Sequence, residues 1–445
     1  MQNLKSHIAE TVKLAIPVSI GQIGHVMMGV VDSLMVGRVG TVPLAAAALV
    51  NGLFFLVLVL GIGMTMAITP LVAIAKGEKN VDECGMILRQ ALLVNVVFAL
   101  LLLLIIFFGA DFIQYMNQPP EVVEEARSYM KILAVSTLPF LLFQVYRQFL
   151  EGISVVKPPM IIAVAANLFN AFSNWVLIFG NLGFEPMGLD GAGISTFLTR
   201  TLMAIVLMYY VINSPRFKEY NPTLRYKMIN KKVIKKVISI GLPSGLQYFL
   251  EVGAFAFSAI MIGWLGAVPL AAHQIAINLA SITYMIILGI GAAGTIRVGT
   301  ALGQKNRNEM RTAGFTAIGL AITVMFFFAM IFIVLRNFLP TLYVSEVPVI
   351  ELASSLLIVA ALFQLFDGTQ ATAIGVLRGL TDVKIPLLIS FGAYWIIGVP
   401  VSYIFAFIFD WGTIGVWLGF LAGLSSVAIS LTFRFNHLSK MEVIT

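Results

Sequence analysis

Residues 37–46 read GRVGTVPLAA, and residues 263–272 read GWLGAVPLAA, 226 positions later. The same offset joins Pro17 to Pro243, and AKGEKN at 75–80 to ALGQKN at 301–306. Farther along, EGISVVKPP at 151–159 resembles RGLTDVKIP at 378–386, at an offset of 227. One such match carries no weight, but four in the same order at a nearly constant spacing mark an internal duplication. What is duplicated follows from the residues around these strings. Of 445 residues, 59% are hydrophobic and 11% charged, and the mean hydropathy is +0.96. A soluble domain is about one quarter charged, so this composition belongs to a membrane protein.

Twelve apolar segments can be marked, each of ~20 residues and able to cross ~30 Å of hydrocarbon as a helix. They fall at 14–36, 46–74, 87–109, 130–150, 160–180 and 192–212 in the first half. The second half supplies 238–263, 270–298, 313–335, 350–377, 386–409 and 414–434. The remaining residues make short loops with no room for a soluble domain. The runs are continuously apolar, which excludes a transmembrane barrel of alternating strands. Six spans separate the two copies, and six is even, so both halves share one orientation as parallel repeats. The expectation is an all-α polytopic membrane protein of 12 transmembrane helices in two pseudo-symmetric six-helix bundles. The N-terminal bundle covers 1–213, a basic linker covers 214–236, and the C-terminal bundle covers 237–445.

The net charge of +7 is a topology signal rather than a nucleic-acid footprint. Between spans six and seven lie Arg216, Lys218, Arg225, Lys227, Lys231, Lys232, Lys235 and Lys236, against Glu219 alone. Lys76 and Lys79 follow span two, and Lys305, Arg307 and Arg311 follow span eight, while the opposite loops are acidic, as at Glu121, Glu124, Glu185 and Asp410. By the positive-inside rule, both termini and the 214–236 linker are cytoplasmic and the protein is a multi-pass protein of the inner membrane. The first segment is too long for a secretory signal and contains Asp32, so it reads as a retained helix. The single Cys84 excludes an internal disulfide, and no Cys/His cluster has metal-ligand spacing.

A charge at the centre of a spanning helix costs roughly 2.5–3.5 kcal/mol on insertion scales, so each one needs a reason. Asp32 lies late in span one, Glu251 is mid-span in LPSGLQYFLEVGAFAFSAI, and Asp367 is mid-span in ALFQLFDGTQATAIGVLRG. Arg200 is the basic residue inside span six, whereas Arg147, Arg297 and Arg378 sit near cytoplasmic ends where snorkelling can reach water. From the helical rise, Glu251 and Asp367 lie ~20 Å and ~17 Å from the inner ends of their spans, and Asp32 ~27 Å. Two carboxylates at similar depth can share a cavity. Asn170 and Asn174 are four apart on one face of span five, and can offer oxygens or hydrogen bonds to Asp32 or to a cation. Polar residues that merely join helices would look the same. His25 and His273 are candidate proton carriers, although a lone membrane histidine is more often a packed hydrogen-bonder. The repeat offset pairs Asp32 with Ser258, Glu251 with His25 and Asp367 with Phe140, so the acids are not duplicated and the halves do different work.

A carboxylate held away from water is relieved by a proton, by Na⁺ or by an organic cation, and the three compete for it. One such site, exposed alternately to each side, is all an antiporter requires. Twenty Met and 33 Phe suit adaptable walls, although the same residues can face lipid. Gly and Pro in GIGMTMAITP, LGIGAAGT, Pro139, Pro243 and Pro400 can bend their spans. A membrane-embedded enzyme finds no support: H-E-x-x-H and G-x-S-x-G are absent, and the four His are scattered. No G-x-x-x-x-G-K-[ST] loop occurs, so transport draws on an ion gradient.

The early DSLMVGRVG, the duplicated GxxGxVPLAA, and NAFSNWVLIFG, GLDGAGIST and LRGLTDVKIP together resemble the MATE family of multidrug and toxic compound extrusion transporters. The resemblance covers essentially the whole chain and implies a V-shaped fold of two six-helix bundles. Acids in spans seven and ten, here Glu251 and Asp367, are typical of the NorM-like branch. The resemblance assigns these two to the coupling cation, as ligands of Na⁺ if that is the ion, with a part in binding cationic drugs. It assigns Asp32, Asn170 and Asn174 to a site in the N-terminal bundle. Some Na⁺-coupled relatives carry Tyr one turn before the span-ten acid, where this chain has Phe363, a ring with no oxygen to offer. The expected function is cation-coupled efflux of organic compounds by alternating access, without a catalytic residue or a cofactor beyond Na⁺ or H⁺. Expected partners are small organic cations, Na⁺ or H⁺ and membrane lipids, with no nucleic acid, for a monomer. The alternative is a lipid-linked oligosaccharide flippase of the same superfamily, which favours a basic cavity; three acids against Arg200 argue against it.

Overall fold

The structure, a computed structural model, describes residues 4–223 and 229–441. Within it, twelve helical spans are long and apolar enough to cross a membrane: Leu4–Val36, Thr41–Gly77, Val81–Tyr115, Pro120–Gly152, Lys157–Phe179, Gly188–Asn213, Lys231–Gly263, Ala267–Gly303, Arg307–Leu335, Val347–Gly379, Lys384–Ile408 and Gly412–Leu438. Each overlaps one of the apolar runs, and most run past them. The first begins at Leu4 and takes in Lys5, Glu10 and Lys13. The seventh begins at Lys231, so Lys231, Lys232, Lys235 and Lys236 are helical rather than part of a loop. Hydropathy marks where a helix leaves hydrocarbon, whereas the backbone ladder continues into water as long as nothing breaks it. Arg225 and Lys227 of the basic linker lie outside the described residues.

The third span shows how an apolar helix acquires two faces. Ala91, Asn95, Ala99, Leu102 and Ile106 are buried, at helical spacing. Val97, Leu101, Leu104 and Phe108 are exposed on the other side. Both faces are largely apolar: the exposed one meets lipid tails, and the inward one carries the small residues that let helices approach, with Asn95 donating to its own helix at the Ala91 carbonyl. The second span breaks within GIGMTMAITP, into helices Thr41–Thr65 and Ile68–Gly77. Around Pro400 the eleventh span widens into π-helical turns at Gly392–Gly398 and Ile404–Ile408, as expected where proline removes a donor. Pro139, Pro243 and LGIGAAGT lie inside unbroken helices.

By contacts the chain forms two units. One is Ile20–Gly245; the other is Met1–Ser19 with Leu246–Thr445. Compared with bundles counted along the chain, the first half of span one groups with the later spans and the first half of span seven with the earlier ones. The earlier unit has a core around Phe54, Leu102, Ile106, Tyr129, Leu133 and Leu141. Inside it Gly63 lies against Gly245, where a Cβ on Gly63 would fall 2.2 Å from the Gly245 Cα, so two backbones touch there. The later unit has its own core, around Ile287, Leu356, Leu357, Tyr394, Trp417 and Phe420.

The duplication is written in the backbone. Asn80 and Asn306, the last residues of the repeated AKGEKN and ALGQKN, each cap the following helix by accepting from the N–H of Glu83 and Glu309, at 3.1 Å in both cases. Lys79 and Lys305 share a left-handed conformation (φ 60° and 55°), as do Ser154 and Thr381 (φ 65° and 61°). Non-glycine residues seldom adopt it, so its recurrence at the repeat offset reflects one inherited turn.

Two arginines expected to snorkel are instead paired in place. Arg147 is buried and donates from Nε to Glu151, 2.6 Å away and one turn on, and from Nη1 to Gln22 at 3.3 Å. Arg297 is buried and donates from Nη2 to Glu309 at 2.9 Å and from Nη1 to Thr11 at 2.9 Å, which ties the start of span one to its unit. A nearby carboxylate neutralises a guanidinium without the chain having to reach for water.

Candidate functional site

Among the described residues, each unit holds a cluster of buried polar groups around carboxylate to which no basic side chain is bonded. In the earlier unit Asp32 is 7% exposed. Its Oδ1 accepts from Asn174 Nδ2 at 2.6 Å and its Oδ2 accepts from Thr196 Oγ1 at 3.1 Å. The Asn174 amide also reaches Asn170 Oδ1 at 3.4 Å, as two asparagines one turn apart on one face should. Asn170 donates to Ser195 at 3.4 Å, and Ser195 lies 2.5 Å from Ser173. The cluster thus joins spans one, five and six, with Asn170, Asn174, Thr196 and Ser195 all buried.

In the later unit Glu251 and Asp367 are brought together through one amide. Gln370 Nε2 donates to Glu251 Oε1 at 2.9 Å and, more weakly, to Asp367 Oδ1 at 3.5 Å. The Tyr284 hydroxyl donates to the same Glu251 oxygen at 3.4 Å. Spans seven, eight and ten converge here, and both acids are buried. Sequence reasoning found the acids, and it missed Thr196, Ser195, Tyr284 and Gln370. Gln370 had a signal, since it follows Asp367 by three residues and therefore shares its helix face. Thr196 and Tyr284 had none, because uncharged polar residues are ordinary in membrane helices.

The polar atoms left over are informative. Asn174 Oδ1 and Gln370 Oε1 are buried and have no hydrogen-bond partner. Both amides spend their N–H on a carboxylate, which leaves a carbonyl oxygen beside an anion with no donor to meet it. A proton carried on the acid, or a cation, is what such an arrangement can accept; a further acceptor is not. Phe363 lies one turn before Asp367, packed against Phe255 and Trp417 with ring centroids 6.0 and 5.3 Å away. The two histidines are packed against rings, His25 against Phe140 and Phe143 and His273 against Trp417. Arg200 turns from Asp32 to Ser136, to which its Nη1 donates at 2.7 Å.

Comparison with known proteins places this geometry in context. The MatE family profile matches residues 17–176 and again 243–404. The matches begin at Pro17 and Pro243, the pair joined by the repeat offset. The chain is 32% identical over 449 residues to the multidrug resistance protein NorM of Vibrio vulnificus, covering 99% of this chain and 98% of that one. It is 31% identical over 445 residues to the protein of the same name from Aliivibrio fischeri, covering 99% and 96%. Among solved structures it superposes on the eukaryotic MATE transporter AtDTX14 with a TM-score of 0.88 at 22% identity, covering 99% of this chain and 100% of that one. It also superposes on an outward-facing multidrug resistance MATE family transporter of the MOP superfamily, with a TM-score of 0.87 at 22% identity and coverage of 98% and 97%. At such identities the structural likeness establishes the fold alone.

Proposed function

Because this chain belongs to the MatE family, we propose that it is a multidrug efflux transporter that exchanges organic cations for Na⁺ or H⁺ by alternating access. The observation that carries the reading is the pairing of buried carboxylate with a partnerless amide oxygen in both units, at Asp32 with Asn174 and at Glu251 and Asp367 with Gln370. Removing a charge from water is costly unless something neutralises it, so each cluster gains most from a ligand that brings positive charge. Proton, Na⁺ and organic cation all qualify, and only one at a time can. Binding of one then promotes release of another, and the exchange is coupled without any covalent step.

In this reading Glu251 and Asp367 take the coupling ion, with Gln370 Oε1 as the neutral ligand, and Asp32 with Asn170 and Asn174 serves the earlier unit. Phe363 removes an oxygen that a Na⁺ shell would use, which favours H⁺. No cofactor is required. The basic residues around Arg216 and Lys231 put the 214–236 connection and both termini in the cytoplasm, so export runs away from the basic side.

Competition is directly measurable. Ethidium binding to the purified protein should weaken roughly 5- to 150-fold when either Na⁺ is added or the pH is lowered, the range of ordinary coupling free energies. The sign follows from charge: protonating a carboxylate removes what attracts the dye. Ethidium affinity indifferent to both ions would defeat the shared-site reading.

A further inference from the structure

We propose that the start of span seven is a binding site for an anionic phospholipid, its phosphate met by Lys231 and Lys235 and an acyl chain lying along Ile238 and Leu242. The site is independent of what the protein exports. Lys231, Lys232, Lys235 and Lys236 fall in the first two turns of the helix, and all four are exposed. Among the described residues none of them makes an ion pair. Their placement is unfavourable for the helix alone. Lys231 and Lys235, like Lys232 and Lys236, stand four apart, so like charges meet across one turn. Positive charge also opposes the helix dipole at this end. The end is fixed all the same. Asn230 Oδ1 accepts from the N–H of Lys232 and Val233 at 3.0 and 3.3 Å, and the Asn230 N–H donates to Gln90 Oε1 at 3.2 Å. Buried Val237 and Ile240 hold the opposite face against the unit.

Topology does not account for the arrangement, because the inward bias counts charges without regard to helix face, and Arg216 and Lys218 already mark this side. The duplication does not require it either. At the offset of 226 the four lysines answer to Lys5, Ser6, Ala9 and Glu10 of span one. What the arrangement matches is a phospholipid. Lys231, Lys235, Ile238 and Leu242 fall on one stripe of an α-helix, and Ile238 and Leu242 are exposed. The lysines precede the apolar run at 238 by two to seven residues, a rise of ~3–10 Å. The headgroup layer on each side of the hydrocarbon is ~5–8 Å thick, so the ammonium groups lie at phosphate depth. The apolar ridge continues from them at acyl depth. A soluble anion would use the lysines and leave that ridge uncovered.

Titration of the purified full-length protein in detergent with dioleoylphosphatidylglycerol or dioleoylphosphatidylcholine tests this, with bound lipid read by native mass spectrometry. Wild type should bind the anionic lipid about tenfold or more tightly than the zwitterionic one. Lys231→Gln with Lys235→Gln should bring that ratio to about threefold or less, and Lys231→Arg with Lys235→Arg should keep it. Folding is spared, since both lysines are exposed and the Gln variant removes a like-charge pair. The wild-type comparison stands without any variant. The headgroup alone, as sn-glycerol 3-phosphate, should compete only at about a hundredfold higher concentration or more, for want of a chain to lie on the ridge. A wild-type ratio near one, or a ratio unchanged in the Gln variant, would overturn the site. Competition by glycerol phosphate at the lipid's own concentration would overturn it too, in favour of a soluble anion.

Discussion

Replacing Glu251 with Gln, or Asp367 with Asn, is expected to lower ion-driven ethidium efflux at least tenfold while the protein stays folded in the membrane. Both acids accept from the one Gln370 amide. Either substitution preserves side-chain shape and removes the charge that a coupling ion must meet, a loss on the order of 10- to 100-fold for a charge-assisted contact. Folding should be spared, because a neutral amide is cheaper than a carboxylate in hydrocarbon. Initial efflux rates, set beside the melting temperature of the same preparations, separate the two. Full efflux in either variant would remove that acid from the coupling mechanism.

Asp32 gives the second large effect, with a different signature. Asp32→Asn and Asp32→Ala should both lose efflux about tenfold or more, since neither can exchange a cation. They should differ in stability. Ala leaves the Asn174 amide and the Thr196 hydroxyl without their acceptor, at roughly 1–3 kcal/mol for each buried orphan. Asn still offers one carbonyl oxygen and mimics the protonated acid. A melting temperature lowered in Asp32→Ala and kept in Asp32→Asn, with efflux lost in both, therefore assigns the charge to transport and the hydrogen bonds to folding. Equal melting temperatures would show that the hydrogen bonds at Asp32 contribute little.

The spans and the duplication were legible because both signals are long. A continuous apolar run has few structural solutions in a membrane, and repeated strings keep their meaning at any depth. Span ends were not legible, as Lys231 to Lys236 illustrate, because polar residues extend a helix once it reaches water. The acids stood out for their cost, and Asn170 and Asn174 for their four-residue spacing. Thr196 and Tyr284 did not, because which face of spans six and eight turns toward a carboxylate is decided by packing against helices distant in sequence. Arg147 sits near a span end where snorkelling is expected, yet its charge is met by Glu151 one turn away.

The most direct test of ion-coupled export is ethidium efflux from proteoliposomes of the wild-type protein, with a Na⁺ gradient and a pH gradient imposed one at a time. The account predicts that one of the two gradients drives efflux against the dye's own concentration gradient, and that reversing that gradient reverses the flux. Accumulated ethidium that follows neither gradient, from protein that is folded and inserted, would contradict it.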